Sequence, residues 1–161
     1  MPFQFWPAVV AGLIAGLIME MPVYMQKGVG LDVKQDIFRT WGTMMGLHGA
    51  PGYIAGFVFH EVLSAAIALL YATFFSAIGV TDNFWLWGAV GAVVHYLIAG
   101  VVGMLPAIHR EIPERIPAQG AYYRNYGALD MVTFLMGHMT FGLLVGILYG
   151  PKVAKAEISA K

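Results

Sequence analysis

Residues 51–79 read PGYIAGFVFHEVLSAAIALLYATFFSAIG, with Glu61 as the one formally charged side chain. A run this long and apolar meets the roughly 20 residues a helix needs to cross about 30 Å of hydrocarbon. A helix is the required form, because a lone strand in lipid leaves its backbone polar groups without partners. Three further apolar stretches, 7–24, 84–106 and 128–149, meet or approach the same length. The chain therefore reads as an all-α integral membrane protein, a four-transmembrane-helix bundle forming a single domain over residues 1–161. The excess length of 51–79 predicts tilt or protrusion of that helix.

The composition agrees. Of 161 residues, 59% are hydrophobic and only 11% charged, with mean hydropathy +0.71, more apolar surface than a small water-soluble core hides. Formal net charge is zero, so no basic field points to nucleic acid. Cysteine is absent, which excludes disulfides, thiolate metal sites, covalent haem attachment and thiol catalysis. No Lys or Arg precedes the first apolar run and no A-x-A-like site follows it, so a retained helix is expected there and not a cleaved signal.

Only VTDN, 80–83, separates the second and third spans, which predicts a tight antiparallel hairpin. Trp85 and Trp87 at that end, and Phe5 and Trp6 at the start of span one, read as an aromatic belt. The opposite end carries the longer connections. In loop 25–50, Ile37, Phe38, Trp41, Met44 and Met45 fit the apolar face of an interfacial helix. Loop 107–127 is charged, tyrosine-rich and broken by proline, an ordinary polar surface loop. These two loops hold Lys27, Lys34, Arg39, Arg110, Arg115 and Arg124, against Lys152, Lys155 and Lys161 in the tail. The positive-inside bias predicts cytoplasmic loops and external termini.

The two halves resemble each other. AGLIMEMP (15–22) aligns with AGVVGMLP (99–106), and HEVLSAAIALLY (60–71) aligns with HMTFGLLVGILY (138–149). The pattern suggests two tandem helical hairpins in parallel repeat.

Histidine is unexpected in hydrocarbon, and this chain carries one in three of its four spans. His60 lies nine residues beyond Pro51, His138 nine beyond Leu129, and His95 eleven before Pro106. At about 1.5 Å per residue all three fall roughly 14 to 17 Å from the loop-side surface, near the midplane. His60, Ser64, Ile67 and Tyr71 share one helical stripe, as do His138, Gly142, Val145 and Tyr149, and Gly88 and Gly91 share one with His95. Small residues beside imidazoles admit a flat cofactor or a close helix. Paired His60 and His138 would supply both axial ligands of a b-type haem; alternatively His60, His95 and His138 would bind copper or another transition metal. A cofactor-free reading stands beside these, in which the imidazoles are interhelical hydrogen-bonding groups worth about 0.6 to 2 kcal/mol each.

Glu20 and Glu61 are the two membrane-depth acids, read either as a proton path toward the histidines or as helix packing. Glu20 continues the Gly12 and Gly16 stripe, while Glu61 shares a stripe with Ala65, Ala68 and Ala72 that suggests a face toward another subunit. Asp130, His48 and His109 fall near the loop-side interface, where water is expected to solvate them. HEVLS begins like a zinc-protease motif, but Ser64 stands where its second histidine is needed. No phosphate loop or nucleophile elbow is present.

The functional expectation is a small integral subunit of a larger membrane complex, a redox one, holding b-type haem or a transition metal; no stand-alone enzyme is indicated. The alternatives are a cofactor-free accessory or assembly subunit packing on partner helices, and a proton-coupled carrier of a small solute. Expected partners are the lipid bilayer and other membrane subunits, or further copies of the chain.

Overall fold

The structure, a computed structural model, describes residues 3–102 and 116–159. Among the described residues five helices follow in order: α1 (Phe5–Gly28), α2 (Ile37–Met44), α3 (Gly49–Ala77), α4 (Phe84–Val102) and α5 (Ala128–Ser159), with a 3-10 turn at Ala121–Tyr123 before α5. Helices α1, α3, α4 and α5 are each long and apolar enough to cross a membrane. The four expected spans are these four helices, and no strand occurs among the described residues. The last helix runs ten residues past Tyr149, to Ser159, carrying Pro151 inside it. Residues 103–106, expected to end the third span, lie outside the described residues, as do Arg110, His109 and Arg115.

Small residues decide which helices meet. At Gly12 of α1 an added Cβ would sit 2.6 Å from the Ser64 carbonyl oxygen and 2.7 Å from the Ala68 Cβ of α3. Gly88 of α4 lies against the Gly142 backbone of α5, and Gly146 of α5 against the Phe84 carbonyl. Without a hydrophobic drive between helices in lipid, such backbone approach supplies the dispersion contact that holds them. The first two spans, α1 with α3, and the last two, α4 with α5, are therefore tightly packed pairs. The pairs join through α1 and α5, where the Gln4 backbone N–H donates to Tyr149 Oη at 3.1 Å. By contrast α3 and α4, tied by the short turn, barely touch along their lengths. Three sides of the bundle are closed, and the fourth is a seam.

The stripe of Glu61, Ala65 and Ala68 packs inside the chain, not toward another subunit. Ala65 and Ala68 meet Gly12, and Glu61 Oε1 lies near Gly16 of α1. Helix α2 turns part of its apolar face into the bundle. Of its five proposed lipid-facing residues, Phe38 is buried and Met45 exposed, while Ile37, Trp41 and Met44 are half-buried. Phe38 instead enters an aromatic cluster with Tyr24, Tyr53, Phe57 and His60, at ring separations of 5.3 to 6.1 Å. Its carbonyl abuts Gly56 of α3, which fastens α2 to that helix.

Candidate intramembrane cavity

A cavity of about 520 Å³ lies among α1, α3, α4 and α5, and His60, His95 and His138 all line it. Three helices deliver the three imidazoles to one space, as their common depth required. Glu20 of α1 lines the same space and is buried. Glu61 does not line it: its Oε1 is sealed against α1 without a hydrogen-bond partner. The two acids thus have separate surroundings.

Each imidazole is held differently. His60 donates from Nε2 to the Gly16 carbonyl of α1 at 3.3 Å, and Phe38 packs edge-on to its ring at 5.4 Å. His138 donates from Nδ1 to the Phe134 carbonyl one turn earlier, at 2.9 Å. In a neutral ring the nitrogen opposite a donating N–H carries a lone pair. His60 Nδ1 and His138 Nε2 are accordingly electron-pair donors. His95 stacks edge-on to His138 with ring centroids 4.6 Å apart, and its Nδ1 is buried without a partner. Among the described residues no three His, Asp or Glu side chains gather around a position that would hold a metal ion. The expected three-imidazole set shares a cavity but does not close on one ion.

The polar end of the cavity was less legible. Gln35, Thr40 and Trp41 line it from the first loop-side connection, and Gln119 and Tyr123 from the described part of the second, residues 116–127; together they form a roof. Gln119 Nε2 donates to Thr40 Oγ1 at 3.0 Å, and Thr40 Oγ1 donates to the Asp36 carbonyl at 2.7 Å. Thr133 Oγ1 donates to Gln26 Oε1 at 3.0 Å. Asp130 was expected in solvated surroundings; it is fully buried, and its Oδ1 accepts the Lys34 and Gln35 backbone N–H groups at 3.0 and 2.8 Å. Burial is possible there because the loop amides replace water. Asp36 pins the same loop from outside, paired with Lys27 at 3.4 Å and accepting from Tyr24 and Tyr53. His48 takes no part: it is exposed and stands at the start of α3.

Two roof tyrosines sit outside the spans and report on it. Tyr123 is buried, and burial first, then the Glu20 carboxyl, pushes its phenol upward. Tyr126 donates to the Pro117 carbonyl at 2.9 Å, and its phenol is pushed up to about 12, first by burial and then by the Asp130 carboxylate. A raised phenol pKa favours the protonated folded state. That contribution is complete below about 10, the free tyrosine value, and is lost as pH rises toward 12. The roof is therefore expected to loosen in this alkaline window, seen as tyrosinate absorbance lost from Tyr126→Phe. An ordinary tyrosine midpoint for Tyr126 would contradict the burial.

No protein family, curated protein or solved structure is matched by the chain. The function has to be argued from the cavity.

Proposed function

We propose that the chain is a small integral subunit of a larger membrane redox complex, holding b-type haem or a transition metal in the cavity, with His60 and His138 as ligands. The observation that supports this is the hydrogen bonding of the two rings. Each spends its N–H on a backbone carbonyl and keeps the opposite nitrogen as a lone-pair donor, the outer-shell arrangement that orients metal-ligating imidazoles. The reading rests on two imidazoles, with His95 packed on His138 as the neighbour that positions it. Bound haem would supply one-electron chemistry at a depth where no water-soluble donor reaches. The chain's own part is to hold the rings, exclude water beneath the roof and present an apolar wall. The positive-inside bias places the roofed end toward the cytoplasm.

The test is an optical spectrum of detergent-purified protein, oxidised and then dithionite-reduced, with elemental analysis. A Soret band with sharp reduced α and β bands is expected. His60→Ala and His138→Ala should each lower bound haem about ten-fold or more, while His109→Ala should leave it intact. Stoichiometric copper, iron or zinc in a colourless protein would select the metal over haem. Neither signal in protein drawn gently from its membrane would overturn the proposal.

A second reading, a cofactor-free accessory subunit, draws on the loose seam between α3 and α4, which a partner helix would fill. A stoichiometric partner co-purifying with colourless, metal-free protein would select it.

A further inference from the structure

The seam and the roof together bear on how the cavity is reached. On the water side, the roof bonds across the chain: Gln119 to Thr40, and the Lys34 and Gln35 amides to Asp130. At the short-turn end, Phe74 and Trp87 rings stand 6.2 Å apart and the Tyr71 ring lies against Gly91, which narrows the seam. Between the roof and this narrowing the walls are apolar and face outward. Leu70 of α3 is 68% exposed, and Val94 and Ile98 of α4 are 54% and 63% exposed, yet all three also line the cavity. Residues that border both the interior and the outside mark a mouth. At membrane depth that mouth opens on lipid.

The chemistry inside restricts what enters. No Lys or Arg lines the cavity among the described residues, and Glu20 is its one carboxyl. The hydroxyls of Thr40 and Thr133 donate away from it, to Asp36 and Gln26, and the N–H groups of His60 and His138 donate to carbonyls. At His60 and His138 what remains on offer is one electron pair each, while Trp41 Nε1–H and Tyr71 Oη elsewhere in the lining are left without partners. Among the described residues an anion beside the histidines finds no counter-charge, and burying it unpaired is costly, so the acidic groups of a ligand, haem propionates included, would have to stay outside the cavity.

We propose that the cavity is loaded sideways from the bilayer through the seam between α3 and α4. Its ligand is a membrane-dissolved molecule with an apolar body, and the end that reaches the histidines is a hydrogen-bond donor or a metal centre, not an anion. This rests on the reading of the cavity as a ligand site and adds its route and ligand class.

The cysteine-free chain makes the test clean. Gly137→Cys places a thiol in the cavity wall where an added Cβ meets Met19 O at 3.4 Å, ordinary contact. Protein in lipid nanodiscs is treated with N-phenylmaleimide, which dissolves in the bilayer, or with a charged sulfonate thiosulfonate, which does not. Each rate is normalised to the same reagent on Asp82→Cys in the exposed turn. The maleimide is expected to modify the cavity thiol and the sulfonate to leave it untouched. Adding Leu70→Trp with Val94→Trp should slow the maleimide about ten-fold, the rate equivalent of displacing a bulky ring. Leu70→Ala with Val94→Ala, at the same outward-facing positions, should speed it. Dodecylamine should protect the thiol where dodecanoate does not.

Equal entry of the sulfonate, no reaction with either reagent, or indifference to the seam variants would overturn the route. Equal protection by dodecanoate would overturn the ligand class. Seam-dependent labelling without a haem or metal signal fails the redox reading alone; a haem signal with labelling from water fails this inference alone.

Discussion

Gly88→Val is expected to separate α4 from α5 and to destabilise the bundle strongly. A Cβ at Gly88 meets the Gly142 carbonyl oxygen and carbon, so backbone has to move and no side chain can rotate to make room. Gly142 is equally committed, since its own Cβ would sit 2.6 Å from Ala92 Cβ and 3.1 Å from Tyr71 Oη. Overpacking of a close-packed contact costs about 1 to 3 kcal/mol and more where backbone is the obstacle; the upper end is expected here. Lipid offers no compensating hydrophobic drive, so separated helices simply exchange protein contact for lipid contact. The measurement is unfolding in mixed micelles of rising SDS fraction, with Gly28→Ala as the control, because nothing lies within 4 Å of a Cβ there. Gly88→Val unfolding with the wild type would refute the close approach of α4 and α5. The cavity should be lost with the fold, since Gly91 and His95 ride on α4.

Asp130→Ala is expected to release the roof while leaving the four spans in place. One carboxylate oxygen serves two loop amides, at 3.0 and 2.8 Å, and hydrogen bonds to a charged group contribute about 1.5 to 3 kcal/mol each. Alanine leaves both donors facing an apolar space, so a local loss of about 3 kcal/mol follows. Asp130→Asn keeps an acceptor oxygen for the two amides and should cost less. The observable is hydrogen exchange at the Lys34 and Gln35 amides, protected in wild type and fast in Asp130→Ala. Unchanged protection would mean the loop is held by the Asp36 contacts with Lys27, Tyr24 and Tyr53 alone. With the roof released, the charged thiol reagent should reach the cavity from water, which couples this result to the seam experiment.

The common register of the histidines was legible because rise per residue is a property of the helix and needs no neighbour. Counting from the loop-side ends placed His60, His95 and His138 at one level, and they share one cavity. What each ring does with its nitrogens was not legible. The partner of His60 is a carbonyl on α1, forty-four residues away, and that distance in sequence carries no local signal. Glu20 and Glu61 show the same division: both are plainly acids at membrane depth, but only Glu20 lines the cavity. A helical rotation that periodicity cannot anchor decides this. Asp130 carried a misleading signal, since an acid near a helix start ordinarily faces water. Its actual partners, two amides of a loop ninety-five and ninety-six residues earlier, exist only in the folded chain.

By itself the sequence determined the all-helical class, the number of helices long and apolar enough to cross a membrane, and the common register of the histidines. These follow from composition, run length and the geometry of a single helix, all of them local quantities. The tertiary structure alone decided that α1 packs with α3 and α4 with α5, that α3 and α4 leave a seam, and that Asp130 holds a roof over the cavity. Those features depend on which small residues of separate helices come face to face, and on backbone groups that find partners only once distant segments meet.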